Sequence, residues 1–168
     1  MSKNTRQNDG HRKRLLLLGA LTVLIMIFIF VMSATDGEKS GDLSHGFLGS
    51  LLGAFLSRVL PRLSQNGAEY DIRKYAHMFE YFCLTISSFL FFRELYVGKS
   101  HQSLRAAVFA LGLCFVYACT DEWHQTFVPG RAGLFSDVMI DTAGGAIGLC
   151  LALLLVRLRM YKKQRKAN

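Results

Sequence analysis

Residues 15–32 carry no charge and, Thr22 apart, no polar side chain. A helix rises about 1.5 Å per residue, so such a block reaches across most of a hydrocarbon layer roughly 30 Å thick. Three further blocks, 75–92, 106–120 and 138–156, are nearly as apolar, and His77, Glu80 and Asp141 are the main interruptions. Lipid offers no hydrogen bonds to the backbone, so segments of this length cross it as helices. The pattern predicts an all-α integral membrane bundle of four transmembrane helices.

Charge sets the expected orientation. The chain is 51% hydrophobic yet carries a formal net charge of +8, and eleven of its twenty Lys and Arg lie in the tails 1–14 and 157–168. Basic runs of this kind can bind nucleic acid, but each of these abuts an apolar block. They read better as juxtamembrane anchors that hold topology and touch anionic lipid, so no nucleic-acid partner is expected. The connection 93–105 is also net basic, with Arg93, Lys99 and Arg105, whereas 121–137 is acidic. The positive-inside rule then puts both tails and the 93–105 connection in the cytoplasm, as for a multi-pass protein of the cell membrane. The first block could be taken for a signal peptide, but it is long and Ser33-Ala34-Thr35 is a poor cleavage context, so an uncleaved anchor is expected. The domain proper is 15–156.

Between the first two blocks, Leu43, Phe47, Leu48, Leu51, Leu52, Phe55, Leu56, Val59 and Leu60 recur at helical spacing, with Ser44, His45, Ser50, Ser57 and Arg58 between them, until Pro61. This predicts an outer amphipathic helix lying in the interface or over the bundle. A fifth span there would carry the basic C-terminal tail outside, against the charge rule. Cys83, Cys114, Cys119 and Cys150 all lie in apolar blocks without CxxC spacing, which suits buried inert thiols.

Three polar clusters fall on the expected outer side. Arg73, His77 and Glu80 share a helix face through their i, i+4 and i+3 spacing. Asp121-Glu122-x-His124-Gln125 continues to Pro129-Gly130-Arg131, where Pro-Gly predicts a tight turn aiming Arg131 back at the bundle. Asp137 and Asp141 share a face of the fourth helix, with Ser136 as its expected N-cap. Each cluster alone has a bland explanation. His77 and Glu80 can pair to ease insertion, Trp123 can anchor the interface, and Gly144 to Gly148 is GxxxG spacing that suits packing within the chain better than dimerisation. A charge at a helix centre costs roughly 2.5–3.5 kcal/mol on insertion scales, and three segments bring such groups to one depth, which predicts a shared site. Its residues are Arg73, His77, Glu80, Asp121, Glu122, His124, Gln125, Arg131, Asp137 and Asp141.

At these residues the sequence resembles the VanZ family of bacterial membrane proteins. The likeness rests on Arg73-Lys74-x-x-His77-x-x-Glu80-Tyr81 and on Asp121-Glu122-x-His124-Gln125-x-Phe127-Val128-Pro129-Gly130-Arg131. Asp137, Asp141, Gly144 to Gly148, Met32-Ser33, Ser40 and Ser44 extend it. Ala34 and Thr142 depart from it, standing where Ser and Asn are expected. The resemblance implies a four-helix protein of the cell envelope, in a family named for a member linked to teicoplanin resistance.

Three functional readings follow, in order of preference. The first is a binding protein for an anionic membrane lipid or a lipid-linked cell-wall precursor, since Arg73, Lys74 and Arg131 offer guanidinium and ammonium groups that suit phosphate and carboxylate. The second is a metal-assisted hydrolase or transferase, with Glu122 or His124 as base and Arg131 as charge stabiliser. A divalent metal fits His77, Glu80, Asp121, Glu122 and His124 in principle, but no HExxH motif is present and no Ser-His-Asp or Cys-His nucleophile is legible. The third is a bundle whose polar residues only join its helices. Oligomeric state is not legible.

Overall fold

The apolar blocks fold as helices that extend well beyond them. A computed structural model describes the backbone of residues 3–34 and 68–166, and the side chains of 8–34 and 74–166. The described helices are α1 (Lys3–Ser33), α2 (Ala68–Leu95), α3 (Gln102–Gln125) and α4 (Phe135–Arg165), with no strand among the described residues. The expected amphipathic helix and the side chain of Arg73 lie outside what is described.

Side-chain contacts give the directions of the helices. Near the start of α1, His11 Nδ1 lies 2.8 Å from Glu94 Oε1 at the end of α2. At the end of α1, Ser33 meets Asp121 near the end of α3. Lys74 near the start of α2 pairs with Asp137 in the first turn of α4. The helices therefore alternate in direction, leaving one end with the 126–134 connection (the loop end) and the other with the basic tails (the tail end).

Of these helices, α1, α3 and α4 are long and apolar enough to cross a membrane. The most apolar 18-residue window of the α1 span has a mean hydropathy of 3.0, but only 11% of it is buried within the bundle. Leu16, Leu17, Leu24, Ile27 and Val31 all point outward from it. A helix so apolar and so uncovered needs lipid around it. With 28 residues, α2 has the length to cross but is less apolar, because His77, Glu80, Thr85, Ser87 and Ser88 lie along it. Those groups face the bundle: Thr85 and Ser88 are fully buried, and Ser87 Oγ lies 3.2 Å from Thr22 Oγ1 of α1.

Small residues set the packing. Ala106, Ala110, Cys114 and Ala118 recur every fourth position on α3, are all fully buried, and let neighbouring backbones approach. On α4, a Cβ added at Gly144 would strike the Met78 carbonyl oxygen, and one at Gly148 would come within 2.6 Å of that of Phe82. The GxxxG spacing thus seats α2 against α4 inside one chain, as its intrachain reading predicts. One apolar cluster, with Phe89, Ala106, Ala110, Leu149, Ala152 and Val156, fills the bundle toward the tail end. A second, with Ile29, Tyr81, Leu84, Cys114, Ala118 and Val138, lies directly beneath the polar cluster.

Candidate functional site

The buried face of α3 changes character in its last two turns. Ala118 is followed on the same face by Asp121, Glu122 and Gln125, all at most 6% exposed. The helix that contains the expected third span, 106–120, continues to Gln125, because these polar groups turn inward and find partners. Asp121 Oδ2 accepts from Ser33 Oγ at 2.8 Å and from Gln125 Nε2 at 3.1 Å. Glu122 Oε1 accepts from the same Gln125 amide at 3.1 Å, and Oε2 accepts from the Leu134 backbone N–H at 3.0 Å. Leu134 is the N-cap position of α4, so Glu122 anchors the start of that helix. Ser136 is not the cap. It lies in the first turn, and its hydroxyl donates to Asp137 Oδ1 at 3.3 Å.

The connection between α3 and α4 returns Arg131 to the bundle, as its Pro-Gly pair predicts. Arg131 N–H donates to the Val128 carbonyl at 3.1 Å, and Gly130 has φ of 74°. Pro at the second position and a positive-φ Gly at the third are the requirements of a type II turn. Arg131 Nη2 donates to the Met32 carbonyl at 3.1 Å, among the last carbonyls of α1, which have no partner within their own helix. A cation there also suits the negative end of the helix dipole.

The remaining groups arrive from α2 and α4. His77 Nδ1 stands 3.6 Å from Glu80 Oε2, so these two pair as their i, i+3 spacing suggests. Lys74 Nζ donates to Asp137 Oδ1 at 2.8 Å. Asp141, 2% exposed, lies one turn deeper. Atoms of His77, Asp121 and Asp141 capable of binding a metal all lie within 4.8 Å of one another. A small cleft, partly open to solvent and enclosing about 20 Å³, is lined by Lys74, His77, Glu122, Gln125, Asp137, Ile140 and Asp141.

Most of the expected site residues are therefore brought together, but they divide into groups. His77, Glu122, Gln125, Asp137 and Asp141 line the cleft, while Asp121 sits behind it against Ser33. Arg131 is turned to the end of α1, and His124 stacks on Phe30 with ring centroids 4.5 Å apart. Lys74, expected with Arg73 and Arg131 to suit an anion, lines the cleft. Two contributors were not predicted: Ser33 looks like any helix-ending serine, and Tyr81 is fully buried beneath the acids.

Chemically, the arrangement suits holding charge better than nucleophilic attack. Ser33 donates directly to a carboxylate with no imidazole between them, and both oxygens of Glu122 already accept hydrogen bonds. Neither has the nucleophile-and-base relation that covalent catalysis needs.

The VanZ/LLP1 family model matches residues 18–156, which takes in α1 from its apolar part, the whole polar cluster and most of α4. No curated protein and no solved structure shows a significant match. With the family pattern covering most of the chain and three helices fit to cross a bilayer, this chain is a membrane protein of the VanZ/LLP1 family.

Proposed function

We propose that this chain crosses the bilayer four times with both basic tails in the cytoplasm, and that the cleft at its loop end binds the anionic head group of a membrane lipid or lipid-linked cell-wall precursor. Two features support the topology. The helices alternate in direction, and Arg93, Lys99, Arg105 and the C-terminal cations gather at the tail end. By the positive-inside rule that end faces the cytoplasm and the cleft faces outward.

The observation that carries the binding reading is the cleft itself. It places the Lys74 ammonium beside Gln125 and His77 at the open loop end of the bundle. Its enclosed part is about 20 Å³, room for about one water-sized group, so only the charged tip of a head group enters and the rest stays outside. Trp123, Phe127 and Phe135, 68%, 69% and 69% exposed, surround the loop end with rings suited to the interfacial layer. The site would then lie at head-group depth. A protein that sequesters or presents such a head group would alter access of glycopeptides to their target, and so teicoplanin susceptibility.

Native mass spectrometry of the purified protein tests this reading. The wild type is expected to retain phosphatidylglycerol in preference to phosphatidylcholine. Lys74→Met removes a charge-assisted bond worth about 1.5–3 kcal/mol, so the preference should fall by about tenfold or more. Undiminished preference in a folded Lys74→Met protein would overturn the assignment.

A further inference from the structure

The cleft poses an electrostatic problem for an anionic ligand. Its lining includes the carboxylates of Glu122, Asp137 and Asp141 against the single ammonium of Lys74, and Asp137 already holds that ammonium at 2.8 Å. Beyond the lining lie two further acids, Asp121, only 3% exposed, and Glu80, and the Arg131 guanidinium, whose charge reaches Asp121, Glu122 and Glu80, offsets only part of this excess. Each buried ion carries a desolvation penalty of several kcal/mol unless it is compensated. An incoming phosphate or carboxylate would add to the excess.

We propose that His77, Asp121 and Asp141 bind a divalent cation of the manganese or zinc class, and that this ion receives the anionic head group. The head-group half of this inference rests on the function proposed above; the metal half stands alone. The three residues come from three different helices, α2, α3 and α4, so the site is assembled by tertiary folding rather than by local sequence. Their candidate ligand atoms lie within 4.8 Å of one another. Three ligands about 2.0–2.2 Å from an ion at octahedral or tetrahedral angles lie about 3–3.6 Å apart, so closure needs each to move inward by up to about 1 Å. One imidazole with two carboxylates is a mixed set that suits manganese or zinc, whereas magnesium and calcium favour oxygen alone.

Two further observations support a bound ion. Asp121 Oδ2 takes two hydrogen bonds, but the other oxygen, Oδ1, is fully buried and has none among the described residues. Buried carboxylate oxygens are rarely left so. Ser33 and Gln125, by engaging Oδ2, fix the carboxylate as the outer partners of metal ligands do. Second, Tyr81 is fully buried, its hydroxyl has no hydrogen-bond partner among the described residues, and it is near enough to Asp121 and Asp141 to feel both charges. A phenol in that position can donate to a metal-bound carboxylate or to a ligand on the ion. The access route is the cleft, which His77 and Asp141 both line.

The test uses the purified full chain, with any affinity tag removed and bound metal stripped by chelator, titrated with divalent manganese alone. One ion per chain is expected by calorimetry. Asp141→Asn keeps the side-chain shape, and its affinity should fall by at least about tenfold, the lower range seen when even outer partners of a metal are lost. Pulsed electron paramagnetic resonance of the manganese-loaded wild type should show one imidazole nitrogen, lost in His77→Gln. Absence of stoichiometric binding, or a manganese signal without nitrogen coupling, would overturn the site whether or not a variant folds. Adding phosphatidylglycerol nanodiscs should raise manganese affinity, and by linkage manganese should raise lipid retention equally. Manganese binding that ignores the lipid would leave the metal site standing and remove the head-group role.

Discussion

At the scale of single residues, the structure turns on how buried acids are satisfied. Asp121 is held by one hydroxyl and one amide, and the hydroxyl comes from Ser33, a residue 88 positions away. Removing that donor with Ser33→Ala leaves a buried carboxylate one bond short. The expected cost is about 1–3 kcal/mol, read as a lower melting temperature or unfolding midpoint in detergent. Ser33→Thr, which keeps the hydroxyl, should recover part of it; equal stability of Ser33→Ala and wild type would count against the role of this bond. The acids themselves were legible in the sequence, because a charge inside an apolar block stands out. Of their partners, Gln125 was also legible, standing three and four positions along the same helix. Ser33 and the Leu134 amide were not: they reach Asp121 and Glu122 through the fold, and a serine that ends one helix carries no local mark of an aspartate near the end of another.

At the scale of helices, spacing predicted faces better than ends. The i, i+3 and i+4 relations of His77 with Glu80 and of Asp137 with Asp141 hold, and the Pro-Gly turn forms as its residues require. The end of α3 was not legible, because Asp121 and Glu122 look like a membrane exit in sequence, whereas their burial lets the helix run on to Gln125. Helix packing supplies its own test. Gly144→Ala would drive a methyl group into the Met78 carbonyl, forcing α2 and α4 apart, with an expected destabilisation of about 1–3 kcal/mol. Gly112→Ala has no neighbouring atom within 4 Å and should be neutral or slightly stabilising, since alanine is the better helix former. A loss of dimer on gel filtration with unchanged monomer stability in Gly144→Ala would contradict the intrachain role of this stripe.

At the scale of the whole molecule, one bundle joins an apolar body to a polar cluster at one end and cations at the other. The family likeness and the helical class were legible from the motifs and the apolar blocks, and the match over residues 18–156 bears the family out. The division of the expected site into a cleft, a buried acid behind it and an arginine clasping α1 was not, because it depends on how α1 leans on α3. The proposed function depends on where the bilayer puts these two ends. In a background lacking the native cysteines, Ala132→Cys samples the exposed connection at the loop end, and Lys163→Cys the exposed tail. A membrane-impermeant maleimide applied to intact cells should label position 132 at once and position 163 only after permeabilisation. Labelling of both positions from the same side would contradict the account, since the cleft would then open beside the basic tails in the same compartment.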